Sequence, residues 1–200
     1  MAGFLSSDLI VFVRHAETVA NTDGILVGRG HAPFTERGAA QVEALVEHLV
    51  GLKVDRVFSS PSERTSVVAR AVADAMGVPC ALDERLHEID FGPAEGLRYA
   101  DLPRGGVWME PGDYARPIVE GGESRTQVDE RVASFLADIM PLQGTSLVVS
   151  HGGPLRSALA TSLGLDPVDC WAFHIDNGAV ITVSVHDGST AVLEELRVIG

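Results

Sequence analysis

The 200-residue sequence has few features that would cross-link the chain or insert it into a membrane. It has two cysteines, Cys80 and Cys170, without the spacing of a metal site, and a chain of this length needs no disulfide to fold. No apolar run approaches the roughly 20 residues that cross a bilayer. The N-terminus lacks the basic and uninterrupted apolar segments of a signal peptide. These absences predict a reduced, cytoplasmic setting and no membrane partner.

Positive charge is also scarce. Lysine and arginine together number 15 against 28 acidic residues, which gives a formal net charge of −13. Such a balance argues against nucleic acid or an anionic membrane surface as a partner. If the ligand is a small anion, a few focused arginines must attract it against the field of the whole chain.

Short apolar runs alternate with segments of helical periodicity along most of the chain. Six runs are typical of strands buried in a sheet, at residues 8–13, 54–59, 78–82, 146–149, 179–185 and 191–198. Four intervening segments predict helices, at about 35–51, 61–77, 126–140 and 154–163. We therefore predict a single domain over residues 1–200, a three-layer α/β/α sandwich with a mostly parallel sheet and helices on both faces.

Residues 92–124 interrupt this alternation. The stretch is rich in glycine and proline and shows little periodicity. A segment of this length without regular structure inside a compact domain usually serves as a functional lid or an insertion. We predict a lid-like insertion here.

Arg14 and His15 directly follow the first predicted strand, where side chains line the ligand crevice of a doubly wound sheet. Arginine presents a fork of donors that suits phosphate oxygens, and a neutral imidazole can attack phosphorus to form a covalent intermediate. The pair alone is weak support. His151 occupies the equivalent position after another strand, and Gly152 and Gly153 lead into a helix whose N–H groups suit an anion. Two histidines at equivalent strand ends indicate a phosphate site.

Two further strand ends carry residue types that phosphate chemistry needs. Arg64 lies one turn into the helix predicted from Pro61. Glu88 and Asp90 follow the third strand and supply carboxylates where a leaving oxygen would need a proton. Each also has a plainer interpretation, because Arg64 fits an exposed helix and the acids fit a loop or arginine partners.

The order of these motifs resembles that of the histidine phosphatase superfamily, which has the phosphoglycerate mutase-like fold. The family's Arg-His-Gly-Glu-Thr signature corresponds to residues 14–18, with alanine at position 16, and the family's asparagine to Asn21. Four further motifs follow in the family's order, namely Ser-Ser-Pro-x-x-Arg at 59–64, Glu-x-x-Phe-Gly-x-x-Glu-Gly at 88–96, Gly-Gly-Glu-Ser at 121–124 and His-Gly-Gly at 151–153. The resemblance covers nearly the whole chain, from about residue 8 to about residue 185.

The resemblance implies a role for each matched residue. His15 would be the nucleophile that becomes phosphorylated, and Glu88 would protonate the leaving alcohol and then help water to attack. Three side chains would bind the phosphoryl oxygens and neutralise their charge, namely Arg14, Arg64 and His151. The rest of the substrate pocket would come from Asn21, Gly28 and Gly152. No metal and no cofactor are implied, so the expected reaction is hydrolysis of a small phosphate monoester.

Three alternatives stay open. Mutase activity of the phosphoglycerate type uses the same phosphohistidine but must grip a bisphosphate, and residues 97–120 contain three arginines against four acids, which favours the phosphatase. An inactive phosphate-binding module would share the fold, although every expected catalytic residue type is present. A metal site is disfavoured, because no His-x-x-x-His or His-x-His pair occurs.

The sequence leaves the substrate alcohol and the oligomeric state open. A group of apolar and aromatic residues in and beside the insertion would either contact the alcohol or simply pack the lid; the group is Phe91, Leu97, Tyr99, Trp108, Met109 and Tyr114. It suggests a small phosphorylated metabolite with some apolar or ring character. His31, where the family usually has aspartate, is either a surface residue or a contact to that part of the substrate. The strand 191–198 would be open to edge pairing, which makes a homodimer a possible partner state.

Overall fold

A computed structural model describes residues 8–102, 114–117, 119–166, 169, 174–188 and 190–200 of the chain. The described strands are β1 Asp8–Arg14, β2 Arg56–Ser59, β3 Cys80–Leu82, β4 Thr145–Ser150, β5 Ala179–His186 and β6 Thr190–Val198. The described helices are α1 Val19–Asp23, α2 Glu36–Val50, α3 Glu63–Met76, α4 Arg125–Ile139 and α5 Gly152–Leu163.

The strands form one mixed sheet in the order β3-β2-β4-β1-β5-β6. The three ladders that join β3, β2, β4 and β1 are parallel, whereas β5 runs antiparallel to both β1 and β6. The parallel part is built from crossovers through helices, and the hairpin between β5 and β6 reverses the chain through left-handed Asp187 and Gly188. The predicted α/β fold with a mostly parallel sheet is confirmed.

Helices cover both faces of the sheet because the strands are apolar on both sides. In β1, Ile10 and Phe12 pack into one core with residues of α4 and α5, while Val11 and Val13 pack into a second core with residues of α2 and α3. This alternation follows from the two-residue period of a strand. It explains why residues 9–13 form an unbroken apolar run.

The helix boundaries follow the capping chemistry and correct the sequence prediction in detail. The Thr35 hydroxyl accepts from the Gly38 N–H at the start of α2, and Ser124 and Gln127 form a capping box at the start of α4. Helix α3 begins at Glu63 rather than at Pro61. Helix α5 begins at Gly152 rather than at Pro154, because proline is accommodated within a first helical turn.

The short helix α1 was not predicted. It spans only five residues, too few for an apolar period to show, and it is fixed by a capping box in which the Thr18 N–H donates to the Asn21 side chain at 3.1 Å. It carries Asn21 towards the end of β1. A local polar motif, not a hydrophobic pattern, therefore defines this element.

The predicted insertion at 92–124 lies partly outside the described residues, as do Trp108 and Met109 within it. Its described part contains two short 3-10 turns, Gly92–Ala94 and Tyr99–Asp101, and a bridge between Arg98 and Ile25. A lid role for this segment stays a prediction.

Strand β6 lies at one edge of the sheet, as expected. Four apolar side chains on it are exposed, namely Val192, Leu193, Leu196 and Val198. A homodimer through this edge stays a prediction. No helix in the part of the chain that the structure describes combines the length and the apolarity needed to cross a membrane.

Candidate active site

The tips of β1 and β4 bring the two predicted histidines together. Arg14 at the end of β1 is in register with Ser150 at the end of β4, and the His15 N–H donates to the Ser150 carbonyl oxygen at 3.1 Å. The rings of His15 and His151 meet edge to face, with 5.2 Å between their centroids. Both side chains are buried, so the parallel pairing of two distant strands creates one shielded imidazole pair.

A small cavity of about 60 Å³ opens beside His15. Its lining contains five of the predicted site residues, which are Arg14, His15, Asn21, Arg64 and Glu88. Its remaining lining residues are Thr18, Ala20, Ile25, Leu26, Val27, Ala32, Phe91 and Tyr99. Three predicted residues, Gly28, His151 and Gly152, lie around the cavity rather than in its lining. The structure thus gathers one imidazole, two guanidinium groups and one carboxylate around a space of the size of a phosphate group.

The two nitrogens of His15 have different environments. Its Nδ1 lies 2.8 Å from the Ala16 carbonyl oxygen, which can only accept, so Nδ1 carries the proton and Nε2 keeps its lone pair. Burial lowers the pKa of His15 well below its ordinary value, and the charges of Arg64 and Arg14 lower it further, while the Ala16 bond opposes them. His15 is therefore a neutral imidazole with Nε2 available as a nucleophile.

Arg14 lines the cavity, and one of its N–H donors has no hydrogen-bond partner among the described residues. Its Nη1 donates to the Ile175 carbonyl oxygen at 2.5 Å, whereas its Nε is buried and has no hydrogen-bond partner among the described residues. A buried donor without an acceptor costs free energy, so such a group is usually completed by a ligand or water. Burial lowers the pKa of Arg14, and the nearby Glu88 carboxylate opposes that shift.

Arg64 lines the cavity and also binds the loop of residues 27–30. Its guanidinium donates to the carbonyl oxygens of Gly28 at 2.7 Å, Gly30 at 3.0 Å and Val27 at 3.3 Å. The Glu95 carboxylate holds the same loop by accepting from the Gly30 N–H at 2.7 Å. The Gly28 carbonyl oxygen thus anchors Arg64, and the assignment of Gly28 to the substrate pocket stays a prediction.

Glu88 faces the cavity from the loop after β3. Its Oε1 accepts from the Ile89 N–H at 3.0 Å, and its Oε2 accepts from the Gly153 N–H at the start of α5 at 3.4 Å. The alternative acid Asp90 is engaged elsewhere, since its Oδ1 accepts from the Gly92 N–H at 2.8 Å and its Oδ2 lies 3.7 Å from Arg29 Nε. Geometry therefore favours Glu88 over Asp90 as the carboxylate next to His15.

The glycines after His151 permit the close packing of this corner. A Cβ atom on Gly152 would lie 3.3 Å from Arg156 Nη1 and 3.5 Å from Arg14 Cζ. Arg156 itself was not predicted, although its position four residues after Gly152 places it on the same face of α5. It adds a third cation near the cavity.

The main residue that the sequence analysis missed is Asn177. Its Nδ2 donates to the His15 carbonyl oxygen at 3.1 Å and to Asn21 Oδ1 at 3.2 Å, so it connects the backbone of His15 to α1. It precedes β5, and only the antiparallel direction of β5 brings the start of that strand to the end of β1. The sequence signal, a polar Asp-Asn-Gly before a strand, is indistinguishable from a turn.

Tyr99, named above among the insertion's aromatic residues, lines the cavity. Burial raises the pKa of its phenol to about 12, with a further contribution from the Glu88 carboxylate. The phenol therefore stays neutral and offers a hydroxyl group at the cavity wall.

Residues 10–196 match the family model of the histidine phosphatase superfamily, branch 1. The chain belongs to the histidine phosphatase superfamily. Phosphoserine phosphatase 1 of Hydrogenobacter thermophilus is 30% identical over 194 residues, which cover 92% of this chain and 90% of that protein. Adenosylcobalamin/alpha-ribazole phosphatase of Escherichia coli is 31% identical over 181 residues, which cover 87% of this chain and 88% of that protein.

The fold comparison agrees with the sequence comparison. The crystal structure of the alpha-ribazole phosphatase from Shigella flexneri superposes with a TM-score of 0.84 at 29% identity and covers 96% of this chain and 98% of that chain. Membership of this family, together with the phosphatase names of these relatives, makes the chain a phosphatase.

Proposed function

We propose that the protein hydrolyses a small phosphate monoester in two steps through a phosphohistidine on His15. In the first step Nε2 of His15 attacks phosphorus, the bond from phosphorus to the ester oxygen breaks, and the alcohol leaves. In the second step water attacks the phosphohistidine, the N–P bond breaks, and inorganic phosphate leaves the neutral imidazole. The observation that carries this proposal is the 2.8 Å contact between His15 Nδ1 and the Ala16 carbonyl oxygen, which favours a proton on Nδ1 and a lone pair on Nε2.

Positive groups around the cavity would stabilise the phosphoryl oxygens during both steps. Arg14 would donate from its unpaired Nε, and Arg64 and His151 would approach the group from the neighbouring strand tips. Asn21 would line the far side of the pocket, and Gly152 would let the start of α5 approach the anion. These local charges offset the net charge of −13 at short range.

Glu88 would transfer the protons. It would donate one to the leaving oxygen in the first step and accept one from the attacking water in the second. Its place in the lining of the same cavity as His15 fits both tasks.

The nucleophile is tested by trapping. A brief incubation with a ³²P-labelled phosphate monoester, followed by alkaline denaturation, should leave acid-labile label on the wild-type chain and none on His15→Ala. His186→Ala is the matched control, because His186 is an exposed histidine at the end of β5 and lines neither the cavity nor the adjoining groove. Label that persists on His15→Ala would show that another residue is the nucleophile, and absence of turnover in the wild type would favour the inactive binding module.

A second, mostly apolar groove of about 470 Å³ adjoins the phosphate cavity and shares four of its lining residues, Ala20, Ile25, Val27 and Ala32. The rest of its lining is Val19, Gly30, His31, Pro33, Glu95 and Gly96. Its charged residue Glu95 is bound to the Gly30 N–H, and His31 is paired with Glu63. A leaving group in this groove would find apolar surface and no cation among the described residues.

We infer that the alcohol is uncharged and has an apolar or ring-bearing body that lies in this groove. A volume of this size suits a ring system and is within the usual range of ligand pockets. The same lining disfavours a mutase, because a second phosphate or a carboxylate would have no arginine or lysine to bind there. Exchange of label between 2- and 3-phosphoglycerate at a rate comparable to hydrolysis would reverse this preference.

The groove is tested with Val19→Asp. The side chain of Val19 is 40% exposed at the groove, and Val50→Asp, at 38% exposure on the far end of α2, is the matched control. Loss of apolar contact should lower kcat/KM for phenyl phosphate about tenfold and leave ethyl phosphate nearly unchanged. Equal effects of Val19→Asp on both esters would contradict the substrate class and leave the phosphatase mechanism intact.

A further inference from the structure

The sequence contains two asparagines, Asn21 and Asn177, and the fold brings them into contact. They lie 156 positions apart along the chain, yet Asn177 Nδ2 is 3.2 Å from Asn21 Oδ1. Asn21 lines the phosphate cavity, whereas Asn177 does not. The catalytic steps proposed above use Asn21 and make no use of Asn177.

The amide orientation of Asn177 is fixed by the His15 carbonyl oxygen. That oxygen can only accept, so the amide atom 3.1 Å from it must be the nitrogen, Nδ2. Nδ2 also lies 3.4 Å from His15 Nδ1, but that ring nitrogen carries the proton bound by the Ala16 carbonyl oxygen and cannot accept. The two hydrogens of Nδ2 therefore go to the His15 carbonyl oxygen and to Asn21 Oδ1.

The amide of Asn21 is surrounded by donors at its oxygen end. Its Oδ1 accepts from the Thr18 N–H at 3.1 Å and from Asn177 Nδ2, and neither of these groups can accept. The Thr18 hydroxyl donates to the same oxygen at 2.8 Å. Asn21 Nδ2, by contrast, has no hydrogen-bond partner within the described ranges of the chain. Nδ2 is therefore the group that Asn21 can offer to an anion in the cavity.

The backbone around Asn177 is anchored from three sides. Its carbonyl oxygen accepts from Gln41 Nε2 of α2 at 3.5 Å, and the following N–H, that of Gly178, donates to the His15 carbonyl oxygen at 3.2 Å. The Gly178 carbonyl oxygen accepts from the Ile199 N–H at 3.1 Å. The side chain of Asn177 therefore extends from a turn that β1, α2 and the segment after β6 hold in place.

Helix α1, which carries Asn21, has little support of its own. It spans five residues, and none of them is buried. A helix this short is not stable alone in water, because its few hydrogen bonds do not offset the cost of forming the first turn. The Val19 N–H holds its start by donating to the Pro33 carbonyl oxygen at 2.9 Å. The bond from Asn177 to Asn21 connects it to the backbone of His15.

We propose that Asn177 is a positioning residue that fixes the Asn21 amide relative to His15, so that Asn21 Nδ2 can donate to the phosphoryl group that His15 attacks. Asn177 itself touches no substrate. Without it, the Thr18 N–H still orients the Asn21 oxygen, but α1 loses its bond to the His15 backbone. Loss of Asn177 therefore weakens the contact of Asn21 and does not reverse it. The inference rests on the proposed function, because it assumes that Asn21 contacts the phosphoryl group.

Side-chain amide spectra test this directly. Because the sequence has two asparagines, ¹⁵N labelling of asparagine gives two pairs of side-chain signals, and those of Asn177 are assigned by their loss in Asn177→Ala. In the wild type, saturation with inorganic phosphate should shift the Asn21 pair more than the Asn177 pair. In Asn177→Ala the phosphate-induced shift of the Asn21 pair should shrink, and the Kd of phosphate should rise about threefold. Gln143→Ala, which removes an exposed amide before β4, is the matched control and should behave like the wild type.

A double-mutant cycle tests whether Asn177 acts through Asn21. Asn177→Ala and Asn21→Ala should each lower kcat/KM for phenyl phosphate about tenfold. The double variant should lie within about twofold of Asn21→Ala, because the amide that Asn177 holds is gone. The His15 carbonyl oxygen keeps its bond from the Gly178 N–H in all three variants. A residue that only supports the fold would instead give independent losses, about a hundredfold in the double variant.

The outcomes separate the two proposals. The positioning role is overturned if phosphate leaves the Asn21 signals of the wild type unmoved, if their response is the same in Asn177→Ala, or if the kinetic losses are additive, while phosphoenzyme trapping on His15 still succeeds. Failure of trapping in the wild type would instead overturn the proposed function. Should Asn177→Ala not fold, Asn177→Ser takes its place in both measurements with the same expectations, because its shorter side chain has a single hydrogen and cannot replace both bonds.

Discussion

His15 is surrounded by groups that act differently on its two ring nitrogens. A backbone carbonyl fixes Nδ1, and burial beside Arg64 and Arg14 holds the pKa of the imidazole well below its ordinary value. The same arginines that make protonation of His15 unfavourable would attract the phosphate that it attacks. At this scale, one arrangement would supply both the neutral nucleophile of the proposed mechanism and the counter-charge for the phosphate.

Glu88 should matter most for esters with poor leaving groups. An alkoxide needs a proton as it departs, whereas p-nitrophenolate hardly does, so Glu88→Gln should lower kcat for ethyl phosphate about a hundredfold and for p-nitrophenyl phosphate less than about threefold. Steady-state kinetics on the two esters measure the difference. Asp90→Asn is the control, since Asp90 lies outside the cavity lining. Losses of equal size on both esters in Glu88→Gln would remove Glu88 from the role of acid.

At the scale of elements, the start of α5 is fitted against the Glu88 loop. Gly153 donates its N–H to Glu88, and a Cβ atom there would collide with Glu88 Oε1 and lie 3.1 Å from the Ile89 side chain. Ala is a better helix former than Gly, so Gly153→Ala should not destabilise the helix itself. We expect instead that kcat falls about tenfold because the carboxylate is displaced.

A double variant tests that displacement. In a Glu88→Ala background the collision with the carboxylate is gone and only the 3.1 Å contact with the Ile89 side chain remains, so Gly153→Ala should cost no more than about a further twofold in kcat. Full additivity of the two losses would mean that Gly153→Ala acts through something other than Glu88.

Helix α4 supports the same loop from the other side through Arg131. Its guanidinium binds both carboxylate oxygens of Glu123, at 2.7 and 2.9 Å, and donates to the carbonyl oxygens of Arg85 and Glu88. The two side chains are 15% and 10% exposed. Glu123 of the Gly-Gly-Glu-Ser motif therefore has a structural role. It binds Arg131, and Arg131 in turn binds the loop that contains Glu88.

Breaking this pair should destabilise the protein. Arg131→Met leaves the Glu123 carboxylate nearly buried without its partner, and the free energy of unfolding should fall by about 3 kcal/mol in urea titrations at neutral pH. Adding Glu123→Gln removes the stranded charge and should restore about 1 kcal/mol. A double variant that is less stable than Arg131→Met alone would contradict this account.

At the scale of the whole molecule, the sheet order decides which residues meet. The strands β2, β4 and β1 are neighbours, so three loops that are far apart in sequence end side by side. The cost is that two imidazoles, His15 and His151, are buried in neutral form. For His151 too, burial lowers the pKa well below its ordinary value, and the charges of Arg64 and Arg14 lower it further.

This burial makes stability sensitive to acid. The native pKa values of His15 and His151 lie below the value of about 6.5 for an unfolded chain. As the pH falls below about 6.5, the unfolded chain therefore binds protons at these positions that the native state does not, and native stability is lost. At pH 5.5 each histidine should account for a loss of about 1.4 kcal/mol relative to pH 7.5.

Urea unfolding of the wild type and of His151→Leu at the two pH values measures the contribution of His151 to this loss of stability. The fall in unfolding free energy between pH 7.5 and 5.5 should be smaller in His151→Leu by about 1.4 kcal/mol. His186→Asn, which removes an exposed histidine of β5, should show the wild-type fall. An identical fall in His151→Leu would mean that His151 is not buried in neutral form.

The sequence by itself determined the fold class and identified five of the residues that line the cavity. Apolar runs of strand length and capped helical segments depend on local periodicity, which the sequence contains. The motifs at the strand ends identified Arg14, His15, Arg64 and Glu88 as candidate site residues, each from its own segment. The exact starts of α3 and α5 differed because proline is compatible both with a turn and with a first helical turn. The short α1 has no period to detect.

Only the tertiary structure decided how these residues work together. The antiparallel entry of β5 brings Asn177 to His15, the pairing of β2 with β4 brings Ser60 to His151, and the packing of α4 brings Arg131 to the Glu88 loop. None of these contacts has a sequence signal, because hydrogen bonds between distant segments depend on strand order and direction, which local periodicity does not specify. The types of groups at the site follow from local sequence, whereas the position of each proton follows from the fold.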